Sequence, residues 1–167
     1  MIITGGFVVS GYHEIVKNGI IKFGKQYKRF EKIHGSNVPI HINHPTKGIS
    51  ILYRPDVQFI TKHRGRYIFE ILDSELRDQN LIIADTILAC LSPNTSKVFF
   101  IVPTEKDQDK VLDTVVTLVA RLRTLGVSKK ELPRIVAPFY VLRSEAKSPE
   151  TVKKVLETSA KDRGIPI

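Results

Sequence analysis

Two carboxylates near the middle of the chain are the residues best suited to chemistry. Asp56 follows Arg54 and Pro55 in a segment rich in Ile, Val, Phe and Tyr, and Glu70 lies in the next such segment. Two carboxylates at neighbouring positions repel each other, and a divalent oxygen-seeking cation such as Mg²⁺ or Mn²⁺ between them is the usual solution. Such a cation polarises a phosphoryl oxygen and lowers the pKa of bound water. The pair therefore predicts a metal site suited to a phosphodiester substrate.

The charge distribution points to the same class of substrate. The chain has 167 residues, with 26 Lys plus Arg, 17 Asp plus Glu and a formal net charge of +9. Residues 1–67 contain 11 basic and three acidic residues, a net charge of +8, so the remaining 100 residues carry only +1. A concentrated basic region favours a polyanionic partner such as a nucleic acid. We expect the phosphate contacts to come from Lys17, Lys25, Lys28, Arg29, Arg54, Arg64 and Arg66.

Other classes of protein fit the sequence less well. Cys90 stands alone in an apolar run, so neither a disulfide framework nor a cysteine metal cluster is expected. No stretch reaches the roughly 18 apolar residues of a membrane span, and the start lacks the basic region of a signal peptide. We therefore expect an intracellular protein, cytoplasmic or nucleoid-associated.

The elements that must position the carboxylates follow from hydrophobic periodicity. Apolar residues spaced by three and four predict a helix over 12–33, with lysines on the rest of its surface. Strands are predicted at 38–42, 49–61 and 66–72, and the short turn between the last two makes an antiparallel hairpin. That hairpin would bring Asp56 and Glu70 together. The remaining predicted elements are a helix at 73–92, a strand at 97–102, a helix at 105–125, an edge strand at 135–142 and a helix at 148–161.

This order, α-βββ-α-β-α-β-α, predicts an α/β fold with a mixed central sheet, because a hairpin leads into βαβ crossovers. We expect a single domain over residues 1–167, with its core at about 10–142 and a C-terminal helix at about 148–161.

The layout, with Pro55-Asp56 on the second strand and Glu70 on the third, resembles the PD-(D/E)XK nuclease superfamily. This group includes restriction endonucleases, archaeal Holliday junction resolvases and RecB-like nucleases. The resemblance covers about residues 10–142 and implies a restriction endonuclease-like three-layer fold that hydrolyses DNA with Mg²⁺ or Mn²⁺. It implies Asp56 and Glu70 as metal ligands, with Glu14 of the first helix in support and Glu31 as second choice. It also implies a homodimer, as in small members of the superfamily.

One signature residue of the superfamily is missing. The family pattern has a Lys two positions after the Glu, where this chain has Leu72. That Lys positions the attacking water and stabilises charge in the transition state. Arg77 of the following helix, Lys62 of the hairpin turn and Arg54 are candidates to replace it, and Gln79 could assist, as in RecB-like members. Either the Lys has migrated or the domain binds nucleic acid without cutting it.

Two alternative functions and a plainer structural interpretation stay open. The chain could be a catalytically lapsed nuclease-fold module that binds DNA or RNA through its basic N-terminal face, or a structural or assembly protein with an acidic partner. Asp56 could be an ordinary turn residue after proline, and Glu70 a solvent-facing carboxylate paired with Arg54 or Arg66. Glu14 could simply favour the helix dipole.

Overall fold

A computed structural model describes residues 11–43, 45–72, 79–127, 134–135 and 139–162 of the chain. Its elements in chain order are α1 (Gly11–Lys25), β1 (Phe30–Gly35), β2 (Ile40–Asn43), β3 (Ser50–Tyr53), β4 (Val57–Thr61), β5 (Arg66–Ile71), α2 (Gln79–Leu91), β6 (Thr95–Val102), α3 (Glu105–Thr124), β7 (Arg134–Ile135), β8 (Phe139–Tyr140) and α4 (Pro149–Asp162). The α/β class predicted from the sequence is confirmed.

The main sheet is mixed, as predicted. Its strands follow the order β1-β4-β5-β6, with β7 and β8 both paired to β6. The pairs β1–β4 and β4–β5 are antiparallel, whereas β6 runs parallel to β5. A parallel neighbour requires a crossover connection, and the segment that contains α2 supplies it. Strands β2 and β3 form a separate two-stranded antiparallel ribbon.

Helices cover both faces of the main sheet. One apolar cluster lies between the sheet and the pair α1 and α4, and includes Phe23, Phe69 and Leu156. The other lies between the sheet and the pair α2 and α3, and includes Phe100 and Val115. Within the described ranges, no helix combines the length and the apolar character needed to cross a membrane.

The first helix is shorter than predicted. Helix α1 ends at Lys25, and Phe30–Gly35 forms the strand β1, where the periodicity had placed the last turns of the helix. Phe30 and Ile33 pack against the first core cluster, a placement compatible with either helix or strand spacing. Residues 30–35 form a strand and not a helix because they pair with the edge of β4 in an antiparallel ladder. Tertiary pairing thus overrides local propensity.

The predicted strand over 49–61 is two strands. Its first half, β3, pairs with β2, and its second half, β4, pairs with β1 and β5. The break falls at Pro55, which lacks the N–H that a ladder requires. Among the described residues, five strands therefore precede α2, where the sequence predicted three. One consequence is that Tyr53 faces the second core cluster while Val57 faces the first, although a continuous strand would put both on one face.

The remaining elements differ little from their predicted bounds. Strands β5 and β6 and helices α3 and α4 agree to within two residues at each end. Two short strands, β7 and β8, are described at the predicted edge strand 135–142, and residues 136–138 between them lie outside the described residues. The predicted helix start at 73–78, which includes Arg77, lies outside the described residues.

Candidate functional site

The hairpin of β4 and β5 brings Asp56 and Glu70 together. Val57 pairs with Phe69, so Asp56 and Glu70 stand side by side at the open end of the hairpin. The Asp56 Oδ2 atom accepts a hydrogen bond from the Ile71 backbone N–H at 2.8 Å. The backbone N–H of Asp56 in turn donates to the carboxylate of Glu70. Asp56 and Glu70 are therefore neighbours, as the alternation of side chains along the strands predicted. Each carboxylate accepts a hydrogen bond from a backbone N–H of the other segment.

A histidine that the sequence did not single out completes the partners of Asp56. The Nε2 atom of His13, on α1, lies 3.0 Å from Asp56 Oδ1, and both side chains are about one-fifth exposed. Glu14, the predicted supporting ligand, instead forms an exposed ion pair with Lys17 at 3.5 Å. Glu31, the second choice, is exposed on β1. The helix thus presents the residue before Glu14 to the carboxylate pair.

Glu70 is buried, which excludes the solvent-facing role considered for it from sequence. Its exposed fraction is 5%, and its Oε1 atom accepts a hydrogen bond from the Tyr53 hydroxyl. Burial raises the pKa of Glu70 well above its usual value, and the nearby charges of Asp85 and Asp56 raise it further. Burial, reinforced by the charge of Glu70, also raises the pKa of Tyr53, so the phenol stays protonated and donates.

Asp85, on α2, is a third carboxylate near the pair that sequence reasoning missed. Burial raises its pKa from 3.8 to about 6, and the charge of Asp56 adds to the shift. The charge of Asp85 also raises the pKa of Glu70, so Asp85 lies within electrostatic range of both carboxylates of the pair. The available signal was its position as the one charged residue in Gln79–Leu91, a stretch rich in Ile, Leu and Ala. Such a residue is a candidate for a site because burying an unpaired carboxylate is costly.

The chemistry of these donors fits a hard divalent cation. Hard cations take carboxylate oxygens, and a positive charge there would offset the repulsion that raises the pKa values of Glu70 and Asp85. In the part of the chain that the structure describes, however, no three His, Cys, Asp or Glu side chains are grouped so that they could hold a metal ion together. Both oxygens of Asp56 and one of Glu70 already have protein partners. A cation would bind through the lone pairs that these hydrogen bonds leave free on the carboxylate oxygens, so His13 and Tyr53 would keep their contacts.

Leu72 occupies the signature lysine position as a core residue. It is 8% exposed within the second core cluster, and its backbone N–H donates to the Ile101 carbonyl at 2.9 Å. Lys62, one candidate replacement, lies at the turn, about 20 Å away along β4 from Asp56 at about 3.3 Å per residue. Arg54 is exposed, two residues before Asp56. The side chain of Gln79, at the start of α2, lies outside what the structure describes.

Lys17 is the basic side chain that the described structure places beside the carboxylate end of the sheet. It is four residues after His13 and therefore on the same face of α1. Its Nζ atom lies 3.3 Å from Ser36 Oγ, and its side chain is 19% exposed. A Cβ built on Gly35 would lie 3.1 Å from Lys17 Cε and 3.8 Å from the Asp56 carbonyl oxygen, so both residues flank the same glycine.

The other predicted phosphate-binding residues do not form one patch with the site. Lys25 and Lys28 are exposed at the far end of α1, and Arg64 is exposed in the β4–β5 turn. The guanidinium of Arg29 lies over the rings of Phe30 and Tyr67, at 5.0 and 5.4 Å. Arg66 donates to the Pro93 carbonyl at 3.2 Å. The basic region thus divides between the carboxylate end of the hairpin, with Lys17 and Arg54, and the turn end.

This chain matches no protein-family model, no curated protein and no solved structure.

Proposed function

We propose that this protein is a metal-dependent nuclease that hydrolyses DNA phosphodiester bonds at Asp56 and Glu70. The observation that carries the proposal is the placement of Asp56, immediately before β4, beside Glu70 of the adjacent strand β5, within electrostatic range of the third carboxylate of Asp85. Several carboxylates close together in a partly buried cluster are typical of functional sites, because ionising one raises the cost of ionising its neighbours.

The order of elements supports a place for the chain in the PD-(D/E)XK superfamily. When the β2–β3 ribbon is set aside as an insertion, α1 is followed by three antiparallel strands, β1, β4 and β5, then by α2 and by β6 parallel to β5. This is the helix, three strands, helix and strand of the resemblance, with Asp56 immediately before the second strand and Glu70 on the third. The restriction endonuclease-like topology is therefore our preferred assignment.

The proposed roles follow from the contacts. Asp56 and Glu70 would hold Mg²⁺ or Mn²⁺, which when bound supplies polarisation of the phosphoryl oxygen and a lowered pKa for water. His13 and the Ile71 N–H hold Asp56 in place. The Tyr53 hydroxyl orients Glu70. Binding of the cation would also offset the charge repulsion within the carboxylate cluster, since a nearby positive charge lowers the pKa of a carboxylate.

The function is tested by replacing Asp56 with the isosteric amide. We expect Asp56→Asn to lower DNA cleavage at least about 100-fold, because a neutral ligand binds the cation weakly. Cleavage of duplex, single-stranded and branched DNA is measured with Mg²⁺ or Mn²⁺. Glu31→Gln, at an exposed acidic position of β1, is the matched control and should cut like the wild type. Cleavage of none of these substrates by the wild type, or equal cleavage by Asp56→Asn, would refute the proposal.

Within the proposed nuclease, Lys17 takes the place of the missing signature lysine. It is held by Glu14 and Ser36 beside the strand end that carries Asp56. Glu14 then supports the site through Lys17 and not as a metal ligand.

We expect Lys17→Met to reduce the turnover number about 100-fold with a small change in KM, because the charge acts on the transition state. Lys25→Met, an exposed lysine of the same helix, should leave turnover unchanged. Equal turnover in both variants would mean that Lys17 does not replace the signature lysine.

A second candidate function is a nuclease-fold module that binds DNA or RNA without cutting it. Leu72 favours it, because this buried aliphatic side chain leaves no cation at the signature position. The hydrogen bonds that already occupy Asp56 and Glu70 favour it as well. It predicts binding that needs no metal and weakens steeply with salt. Binding in EDTA without cleavage in Mg²⁺ or Mn²⁺ would select this function over the first.

A further inference from the structure

The β2–β3 ribbon, described over residues 40–43 and 45–53, leaves the body of the protein beside the candidate site. Its strands pair Ile40 with Tyr53 at one end and Asn43 with Ser50 at the other. Ile40 and Tyr53 are buried in the second core cluster. The Tyr53 hydroxyl donates to Glu70, so the base of the ribbon is joined directly to the carboxylate pair.

One face of the ribbon carries apolar side chains from the core out into solvent. On β3, Tyr53 and Ile51 point to one side, as alternate positions in a strand do, and Ile49 immediately precedes the strand. Tyr53 is 4% exposed, Ile51 55% and Ile49 62%. On β2, the paired residue of Ile51 is Ile42, which is only partly buried. A two-stranded ribbon is marginally stable alone, and exposed branched aliphatic residues on it indicate a surface that is covered by a partner.

The charge of the ribbon selects the kind of partner. The sequence contains no Asp or Glu between Glu31 and Asp56. Lys47 is exposed in the turn of the ribbon, and Arg54 is exposed at its base. A ribbon with positive charge at both ends and exposed aliphatic groups between them is complementary to a groove of DNA. The phosphates there flank apolar base and sugar edges, and the major groove is wide enough to admit a two-stranded ribbon.

We propose that the β2–β3 ribbon binds duplex DNA by lying in a groove, with Lys47 and Arg54 at phosphates and Ile49 and Ile51 against the base edges. Because its base meets Glu70 through Tyr53, DNA held along the ribbon reaches the carboxylate pair. The ribbon is the surface that recognises the substrate of the proposed nuclease. The claim that it directs DNA toward Asp56 and Glu70 rests on that proposed function. Binding itself needs neither metal nor cleavage.

The test is the affinity for a short fluorescent duplex, measured in EDTA over a series of salt concentrations. We expect the double variant Ile49→Ser/Ile51→Ser to bind about tenfold more weakly with an unchanged salt dependence, because it removes apolar contacts only. The double variant Lys47→Gln/Arg54→Gln should instead reduce the slope of log K against log salt by about 2, one unit per lost phosphate contact.

A matched control comes from the exposed apolar side chains of α3. Leu112 and Val116 are 39% and 56% exposed on that helix, and Leu112→Ser/Val116→Ser should bind the duplex like the wild type. If both ribbon variants bind as the wild type does, or if the wild type has no affinity at low salt, the ribbon is not a DNA-binding surface. Wild-type dimers that the isoleucine variant converts to monomers with unchanged DNA affinity would make the ribbon an interface between copies, which also overturns the proposal.

The outcomes separate this inference from the proposed nuclease activity. Ribbon-dependent binding without any cleavage would retain the DNA surface and refute the nuclease. Cleavage by the wild type, together with ribbon variants that bind and cut normally, would retain the nuclease and refute the ribbon.

Discussion

Burial controls the charge state of the carboxylate cluster residue by residue. Glu70 and Asp85 both have pKa values raised chiefly by burial, with neighbouring carboxylates adding to the effect. A raised pKa means that the folded state binds the proton more tightly than the unfolded state does. The folded state is therefore favoured by this proton binding at a pH below the unfolded pKa. That contribution to the free energy of unfolding is lost as the pH rises through the folded pKa.

For Asp85 this gives a quantitative prediction. Its pKa rises from 3.8 to about 6, so the free energy of unfolding should fall by up to about 3 kcal/mol between roughly pH 4 and pH 6 on account of this residue. We expect Asp85→Asn to remove that part of the decline, and Glu70 to account for a remaining decline. Urea unfolding at a series of pH values measures it. Asp113→Asn, at an exposed position of α3, should retain the wild-type slope. An unchanged slope in Asp85→Asn would show that Asp85 titrates normally.

At the scale of elements, α1 carries most of what positions the site. Its N-terminal turns hold His13 and Lys17, and its buried face packs against the sheet and α4. The approach to α4 is close at Gly19, where a Cβ would lie 2.5 Å from two carbon atoms of Val152 and 3.1 Å from the Pro149 carbonyl oxygen. The position of the helix therefore depends on a glycine for reasons of space.

Gly19→Ala tests this packing. Alanine gains up to about 1 kcal/mol in helix propensity, but overpacking against Val152 costs typically 1–3 kcal/mol. We expect the overpacking to dominate and to lower the free energy of unfolding by about 1–2 kcal/mol, measured by denaturant titration. Gly11→Ala, where nothing lies within 4 Å of the added Cβ, is the control and should not be destabilised. Equal or greater stability of Gly19→Ala would mean that α1 and α4 move apart at little cost.

At the scale of the whole molecule, cation binding should be visible as stability. A cation that binds only the folded state stabilises it by about 1.4 kcal/mol at ten times its Kd, which for a chain of this length is roughly 3–5 °C in Tm. We expect Mg²⁺ to raise the Tm of the wild type by this amount near pH 8. The Tm of Asp56→Asn/Glu70→Gln should be higher than that of the wild type without Mg²⁺, because two repelling charges are gone, and should not respond to the ion. An identical response of both proteins would indicate non-specific ion effects.

The division of the basic charge is also a property of the whole molecule. The sequence places +8 in the first 67 residues, yet folding sends Lys62, Arg64 and Arg66 to the turn end of the β4–β5 hairpin, away from Asp56. Two of the basic side chains nearest the carboxylates are Lys17 and Arg54. A count of charge along the chain therefore overstates how much of it can act at one site.

Local periodicity determined much of the architecture. The strands β5 and β6 and the helices α3 and α4 are long, strongly patterned segments, and their predicted bounds hold closely. The adjacency of Asp56 and Glu70 also followed from sequence, because a short turn and the two-residue repeat of a strand leave few registers for a hairpin.

The tertiary structure alone decided the end of α1, the break at Pro55 and the identity of the residues around the pair. Phe30 fits a helix or a strand equally well until β4 offers it an edge. His13 and Asp85 come from helices before and after the hairpin, and no spacing in the sequence relates them to Asp56. Their proximity depends on how two helices pack on opposite faces of one sheet. Such packing depends on the shape of the whole core, which the local spacing of residues in the sequence does not predict.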